Sequence, residues 1–433
     1  MSLQLFCIIG VFWILKPLKK SIFVEYYDAH PLRFLDYTFT AAQSELLAKN
    51  INMIVAFVAM VLFVAVARAY RKSHLIAMMS GLMLTIAVAL AFFATQSVSF
   101  VWAFYVFGDL FNMVMVGAFF AFLNDSVSKD QVKRLYGMIV FGGVLGGAFG
   151  ATVTRGLLLH MSISKWLFVG SGITVVIALL AQIASRFSPS AVVHSEHSLA
   201  PPSPETPLPV SRLIRSKYIM AIALIVGSYE IVSSLVDFQF TSVVATTLDG
   251  ADIGACFSTV YMIVNIVSLS VQLLLTGVVM TRLGVTRALL FLPALLLMGS
   301  GAFLIAPILA MGALLCVFDN GLNYSINQSA RESLYVLLPS ESRYRAKAFA
   351  DIFIHRTAKA ISVNATLLLS ALLSYRWLAL VAICFIVIWI SAVLYAGNQF
   401  DNDESANTPW LRRKRKSKLL KKRRLFPIAP SGN

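Results

Sequence analysis

Charge is scarce in this chain: 13% of its 433 residues are Asp, Glu, Lys or Arg, where an ordinary soluble domain has about a quarter. With 58% hydrophobic residues besides, a water-facing surface cannot be assembled, so the bilayer is the expected solvent. Cysteine is nearly absent. Cys7, Cys256, Cys316 and Cys384 fall in four separate apolar stretches with no close pair and no nearby histidine set, which excludes a disulfide framework and a zinc site. Acidic residues are few, 20 against 36 basic ones, giving a formal charge of +16. Such an excess can signal nucleic acid, but ten of the basic residues lie between Arg412 and Arg424, beside the last apolar stretch. A run such as Arg412-Arg413-Lys414-Arg415-Lys416 there is expected to meet anionic lipid, with no nucleic-acid partner.

What the chain has in quantity is long apolar runs. A spanning helix needs about 20 mainly apolar residues, and twelve stretches qualify: 3–26, 51–70, 75–95, 100–124, 138–161, 166–187, 218–248, 255–280, 289–306, 308–338, 349–373 and 377–399. The first lacks a basic start and a small-residue cleavage site, so it is expected to stay as a membrane helix. With the amino terminus in the cytoplasm, Arg71, Lys72, Lys129, Lys133, Arg134, Arg186, Arg212, Arg215, Lys217, Arg282, Arg287, Arg343, Arg345 and Lys347 all fall in inner loops. Outer loops keep Arg33, Lys49, Lys165 and Arg376. The positive-inside rule thus favours this count and both termini inside.

Between Phe187 and Ser211 apolar residues give way to serines and Pro189, Pro201, Pro202, Pro204, Pro207 and Pro209. This composition makes an extended solvated linker. The expected organisation is an all-α integral membrane protein: a six-helix half over 1–187, the linker over 188–210, a second six-helix half over 211–400 and a basic tail over 401–433. Six plus six is the major facilitator arrangement, in which each half holds two inverted three-helix repeats around a midplane site.

The intramembrane polar groups follow that repeat. Lys16, Lys19 and Lys20 lie in the first span, Asp109 and Asn112 in the fourth, Glu230 and Asp237 in the seventh, and Asp319, Asn323 and Asn327 in the tenth. These are the first helices of the four repeats. Lys16, Lys19 and Lys20 share one helical face at i, i+3 and i+4. Lys347, Asp351, His355 and Lys359 step by four in the eleventh span, with Arg356 alongside. Charge inside hydrocarbon costs at least ~2.5 kcal/mol per group, so such residues face a wet cavity or one another. Tracking of the repeat favours a pathway for an anionic small molecule over structural pairing alone. Gly142, Gly143, Gly146, Gly147 and Gly150 lie within an apolar helix with no Lys-Ser or Lys-Thr after them, and read as close helix packing. No nucleophile–base pair, metal cluster or phosphate loop is legible, so an enzyme and a cofactor are not expected.

Several segments carry a more specific likeness. "ILKPLKKSIFV", "FGDLFNMVMVGAFFAFLND", "VKRLYGMIVFGGVLGGAFG", "SSLVDFQF" and "RESLYVLLPSESRYRAKAFADIFIHRTAKA" together resemble the ATP/ADP carrier family of bacteria and plastids. The resemblance implies a nucleotide exchanger of major facilitator type; a monomer in a bacterial cytoplasmic membrane is the expected setting. It places Lys19, Asp109, Asp237 and Lys359 where that family has charged residues required for transport. Lys20 stands in place of an aspartate, and Asp109 and Asp237 in place of glutamates, so a different nucleotide, another phosphorylated metabolite or an unrelated cargo stays open. The candidate substrate set is Lys16, Lys19, Lys20, Asp109, Asn112, Asp237, Asp319, Asn323, Asp351, Arg356 and Lys359. Two other readings stand beside it. One is a proton-coupled exporter of a drug, siderophore or other organic molecule, with Asp109 or Asp237 carrying the proton. The other is a non-transporting scaffold or sensor acting through the tail.

Overall fold

The computed structural model describes residues 1–70, 72–94, 97–126, 129–187, 216–338 and 340–407. The proline-rich linker over 188–210 and the basic run after Asn407 lie outside the described residues. The rest is nearly all helix: α1 Ser2–Ala29, α2 Ala41–Ala69, α3 Lys72–Phe92, α4 Val98–Ser126, α5 Lys129–Leu157, α6 Ile163–Phe187, α7 Lys217–Thr247, α8 Ala251–Arg282, α9 Val285–Ile305, α10 over 309–334, α11 over 340–372 and α12 Leu378–Asn407. Nine are long and apolar enough to cross a membrane among the described residues. The three outside that set, α1, α10 and α11, carry the lysine triad, Asp319 with its asparagines, and the stripe ending at Lys359. A short antiparallel hairpin, β1 Leu32–Phe34 and β2 Tyr37–Phe39, bridges α1 and α2, turning through Leu35 at a φ of 53°.

Three helices are interrupted by π-helical turns, at Val271–Leu275 in α8, Asn323–Asn327 in α10 and Ala348–Ile354 in α11. An extra residue in one turn swings the side chains that follow by about 100°. Spacing by four therefore does not keep residues on one face across these points.

Apolar side chains bury into two large clusters. One is centred on helices up to Phe187, around Phe104, Phe119 and Trp166, and also takes in Phe240 of α7, Phe257 and Tyr261 of α8 and Cys316 of α10; the other is centred on α7, α9, α10 and α12 around Leu289, Phe303 and Trp389. A smaller cluster joins them, where Ala42 and Leu46 of α2 meet Leu235 and Phe238 of α7, Val363 of α11 and Ala382 of α12. It marks one end of the bundle as closed. Every fully buried residue of α2 lies between Ala41 and Ala48, and none of α8's lies in Thr276–Arg282; beyond those points the packing is partial, as where Phe63 and Val66 of α2 and Val279 and Met280 of α8 rest against the core.

The closest helix contact is α1 on α5. A Cβ added at Gly146 would run into the Phe6 backbone, and one at Gly150 into the Gly10 backbone, neither of which can swing aside as a side chain would. The glycine stripe is thus helix packing, as its setting implied. Gly146→Ala is expected to destabilise the folded protein by about 1–3 kcal/mol through overpacking, measured as a fall in thermal midpoint in detergent. Gly172→Ala, with nothing within 4 Å of its Cβ, is the control and should leave the midpoint in place.

Candidate functional site

Three lysines within little more than one turn of α1 reach three different sets of partners. Lys19 pairs with Asp109 of α4, its ammonium 4.5 Å from the centre of the Tyr105 ring. Gly108 makes room for it, since a Cβ there would come within 2.7 Å of the Lys19 Cδ. Lys20 donates to Asp237 of α7 at 2.6 Å and lies 3.4 Å from Glu45 of α2. Lys16 touches no carboxylate among the described residues; its ammonium sits 4.4 Å from the Trp13 ring and 5.0 Å from the Tyr261 ring of α8.

Glu45 and Lys49 complete the arrangement. Lys49 pairs with Asp237 and lies 3.4 Å from Glu45, so two ammoniums and two carboxylates form one neutral cluster linking α1, α2 and α7. Tyr105 and Thr241 hydroxyls each donate to a Glu45 oxygen at 3.1 Å. Glu45 is 2% exposed, and in so dry a place a carboxylate needs every one of these partners. Cross-connections continue at the same end: Gln43 donates to Ser370, Asn50 and Asn364 exchange amide hydrogen bonds, and Arg155 donates to Thr259.

The sequence reading began the second span at residue 51 and assigned Lys49 to an outer loop; the structure corrects this. α2 starts at Ala41, and the signal was present in Thr40-Ala-Ala-Gln43. Gln43 N–H donates to the Thr40 hydroxyl while Thr40 N–H donates to the Gln43 side chain, a capping box that fixes the helix start ten residues before the apolar run. From there Glu45 and Lys49 fall at i and i+4 on the buried face.

The remaining candidates divide. Lys359 and Arg356 of α11 are exposed, with no carboxylate at ion-pair distance among the described residues. Lys359 and Lys16 both act electrostatically on Asp109 without touching it, so the three share one region. Arg356 reaches Met60 of α2. Asn112 leaves its buried carbonyl oxygen unpartnered. Asn323 accepts from Asn327 at 2.9 Å on the π turn of α10. Asp351 lies elsewhere: it accepts from Tyr335 at 3.1 Å, while Lys347 pairs with Glu332. The π turn in α11 separates both from His355 and Lys359. Asp319, 1% exposed, accepts from Ser233 of α7 at 2.7 Å. Of the aromatic residues, Trp102 packs on Phe23 and Tyr229 on Trp389, while Phe111 is buried in the core. Among the described residues no group of three or more His, Cys, Asp and Glu could hold a metal ion.

A polar centre between two helical clusters, sealed at one end, is the arrangement of a known transport fold. The family model for the Major Facilitator Superfamily matches residues 1–353. The chain belongs to that superfamily. It is thus a multi-pass integral membrane transporter, and facilitator membership argues against an enzyme. Two facilitator structures share the fold. The nucleoside transporter NupG superposes with a TM-score of 0.61 at 13% identity, over 91% of this chain and 99% of that one. A bacterial homolog of the human lysosomal transporter Spinster gives 0.59 at 11%, over 93% and 97%. In sequence the chain is similar to the chloroplastic ADP,ATP carrier protein 1 of Arabidopsis thaliana, 22% identical over 339 residues, 69% of this chain and 54% of that protein. It is also similar to the ADP,ATP carrier protein 2 of Chlamydia pneumoniae, 23% identical over 218 residues, 43% and 40% of the two chains. The chain spans about half the length of the curated relatives it matches.

Within this facilitator, Lys20→Met and Asp237→Asn should each cost on the order of 3 kcal/mol, the low end for a broken buried pair because Asp237 keeps 26% of its side chain exposed. The double variant should lose less than the sum, as coupled residues do. Thermal stability of all four proteins checks this, and additive losses would refute the pairing.

Proposed function

We propose that the protein is a twelve-span carrier, six helices on either side of the 188–210 linker, that exchanges an anionic nucleotide by alternating access. The observation that carries this is a charge imbalance. The Lys20–Glu45–Lys49–Asp237 cluster is neutral, and so is Lys19–Asp109, while Lys16, Lys359 and Arg356 have no carboxylate in contact among the described residues. A surplus of cations suits phosphate, with lysine as a point charge and arginine gripping two oxygens at once. The similarity to ADP,ATP carriers supports the same cargo.

In this mechanism an entering polyanion binds Lys16 and Lys359 and competes with Asp109 for Lys19. Loss of that pair weakens the hold of α1 on its neighbours, and with it the neutral cluster at the closed end. The balance between the two open states then shifts by the substrate's differential affinity for them. The basic residues of the loops favour a cytoplasmic position for both termini, and the tail would rest on anionic lipid there. Asp109 and Asp237 serve here as partners of lysines, which disfavours either as the proton carrier of a drug exporter.

Proteoliposomes loaded with ADP and offered labelled ATP test the proposal. Uptake is expected in the native protein and should fall by an order of magnitude or more in Lys359→Ala, the loss of a charge-assisted contact of about 1.5–3 kcal/mol. No uptake with any nucleotide, or an unchanged rate in Lys359→Ala, would overturn it.

A further inference from the structure

Asp319 is the carboxylate that the lysine network leaves out. It sits in the first half of α10, 1% exposed, and among the described residues no Lys, Arg or His lies within ion-pair distance. Its Oδ2 accepts from the Ser233 hydroxyl at 2.7 Å and distantly from Asn320 Nδ2 at 3.4 Å, an amide that also donates to the Cys316 carbonyl at 3.2 Å. Its Oδ1 is buried with no partner at all. The titratable groups whose charge acts on it are Tyr229, Glu230 and Asp237 from α7, Lys16 from α1, and Cys316 and Tyr324 from α10 itself. From α8, Tyr261 lies against Lys16, and α9 has no titratable group between Ala288 and Ile305. The single cation in that set, Lys16, is not in contact. Two of the others, Glu230 and Asp237, are themselves carboxylates.

A lone carboxylate charge with one hydroxyl for solvation is costly in so dry a place, and a bound proton removes that charge. An exit for the proton lies one helical turn away. Glu230 is three residues before Ser233 on the same face of α7, and its carboxylate meets His355 Nδ1 at 2.9 Å. His355 keeps 40% of its side chain exposed, one residue before the exposed Arg356, so it connects the buried pair to an accessible surface.

We propose that Asp319 is a proton-binding site, served through Glu230 and His355, that couples transport to the proton gradient. One proton forms an O–H bond at Oδ1 in one conformation and returns to water by way of Glu230 and His355 in the other. This rests on the protein's being a transporter and holds whichever anion is carried. It differs from the ion-paired carboxylates in kind: Asp109 and Asp237 answer to lysines, whereas Asp319 answers to a proton.

Two measurements on the full-length protein test it. Infrared difference spectra of the purified protein across the physiological pH range should contain a protonated-carboxyl carbonyl stretch that is lost in Asp319→Asn. In vesicles, an imposed pH gradient should change accumulation of labelled ATP several-fold in the native protein and in Asp319→Glu, and leave it unresponsive in Asp319→Asn. A titrating Asp319 band in a protein that moves no nucleotide supports the proton site and removes the nucleotide reading. Nucleotide exchange that ignores the gradient in every variant, with no Asp319-dependent band, overturns the proton site and leaves the nucleotide reading standing.

Discussion

The structure depends on a neutral cluster of two lysines and two carboxylates, Lys20, Lys49, Glu45 and Asp237, that ties α1 and α2 to α7. Buried ion pairs contribute little net stability, because desolvation offsets most of the attraction, yet removing one member is expensive. That asymmetry suits a gate. Such a cluster is near balance when intact and strongly unfavourable when half-broken, so it has two good states, assembled or fully parted. The apolar contact of Leu46 with Leu235 and Phe238 seals the same end against water, which keeps the local dielectric low and the cluster sharp.

The rest of the site follows from what this cluster leaves unneutralised. Lysines at 16, 19 and 20 sit within little more than one turn of one helix, yet only two acquire carboxylates. Lys16 is held by rings, which stabilise an ammonium while keeping it available to an anion. Where α10 and α11 carry their polar residues, π-helical turns break the four-residue repeat. In α11 that break aims His355 at α7 while Asp351 remains with Tyr335, just past the end of α10. The polar residues are thus sorted into separate stations: an ion-paired gate, an unneutralised basic patch, and a buried acid.

Much of this was legible in the sequence. The membrane setting followed from composition, and the lysine triad, Asp109 and Asp237 were found by asking which spans carry charge. Their pairing could not be read, because periodicity gives the face of a helix but not its neighbour. Glu45 and Lys49 were missed for a definite reason. A hydropathy reading starts a helix where apolar residues begin, whereas α2 starts at its cap, Thr40, and presents a polar turn to the core before the apolar run. The stripe from Lys347 to Lys359 misled in the opposite sense, since equal spacing implies one face only while the helix stays α-helical.

The central claim is that an anion parts this gate, and the distance between the loops it holds together reports that most directly. Spin labels at Arg33→Cys in the hairpin and Asp249→Cys after α7, both exposed, flank the closed end. In a background without the native cysteines, electron–electron double resonance should show a short distance in the apo protein and a longer population when ATP is added. A distribution that ATP leaves unchanged, in protein shown to bind ATP, would contradict the account.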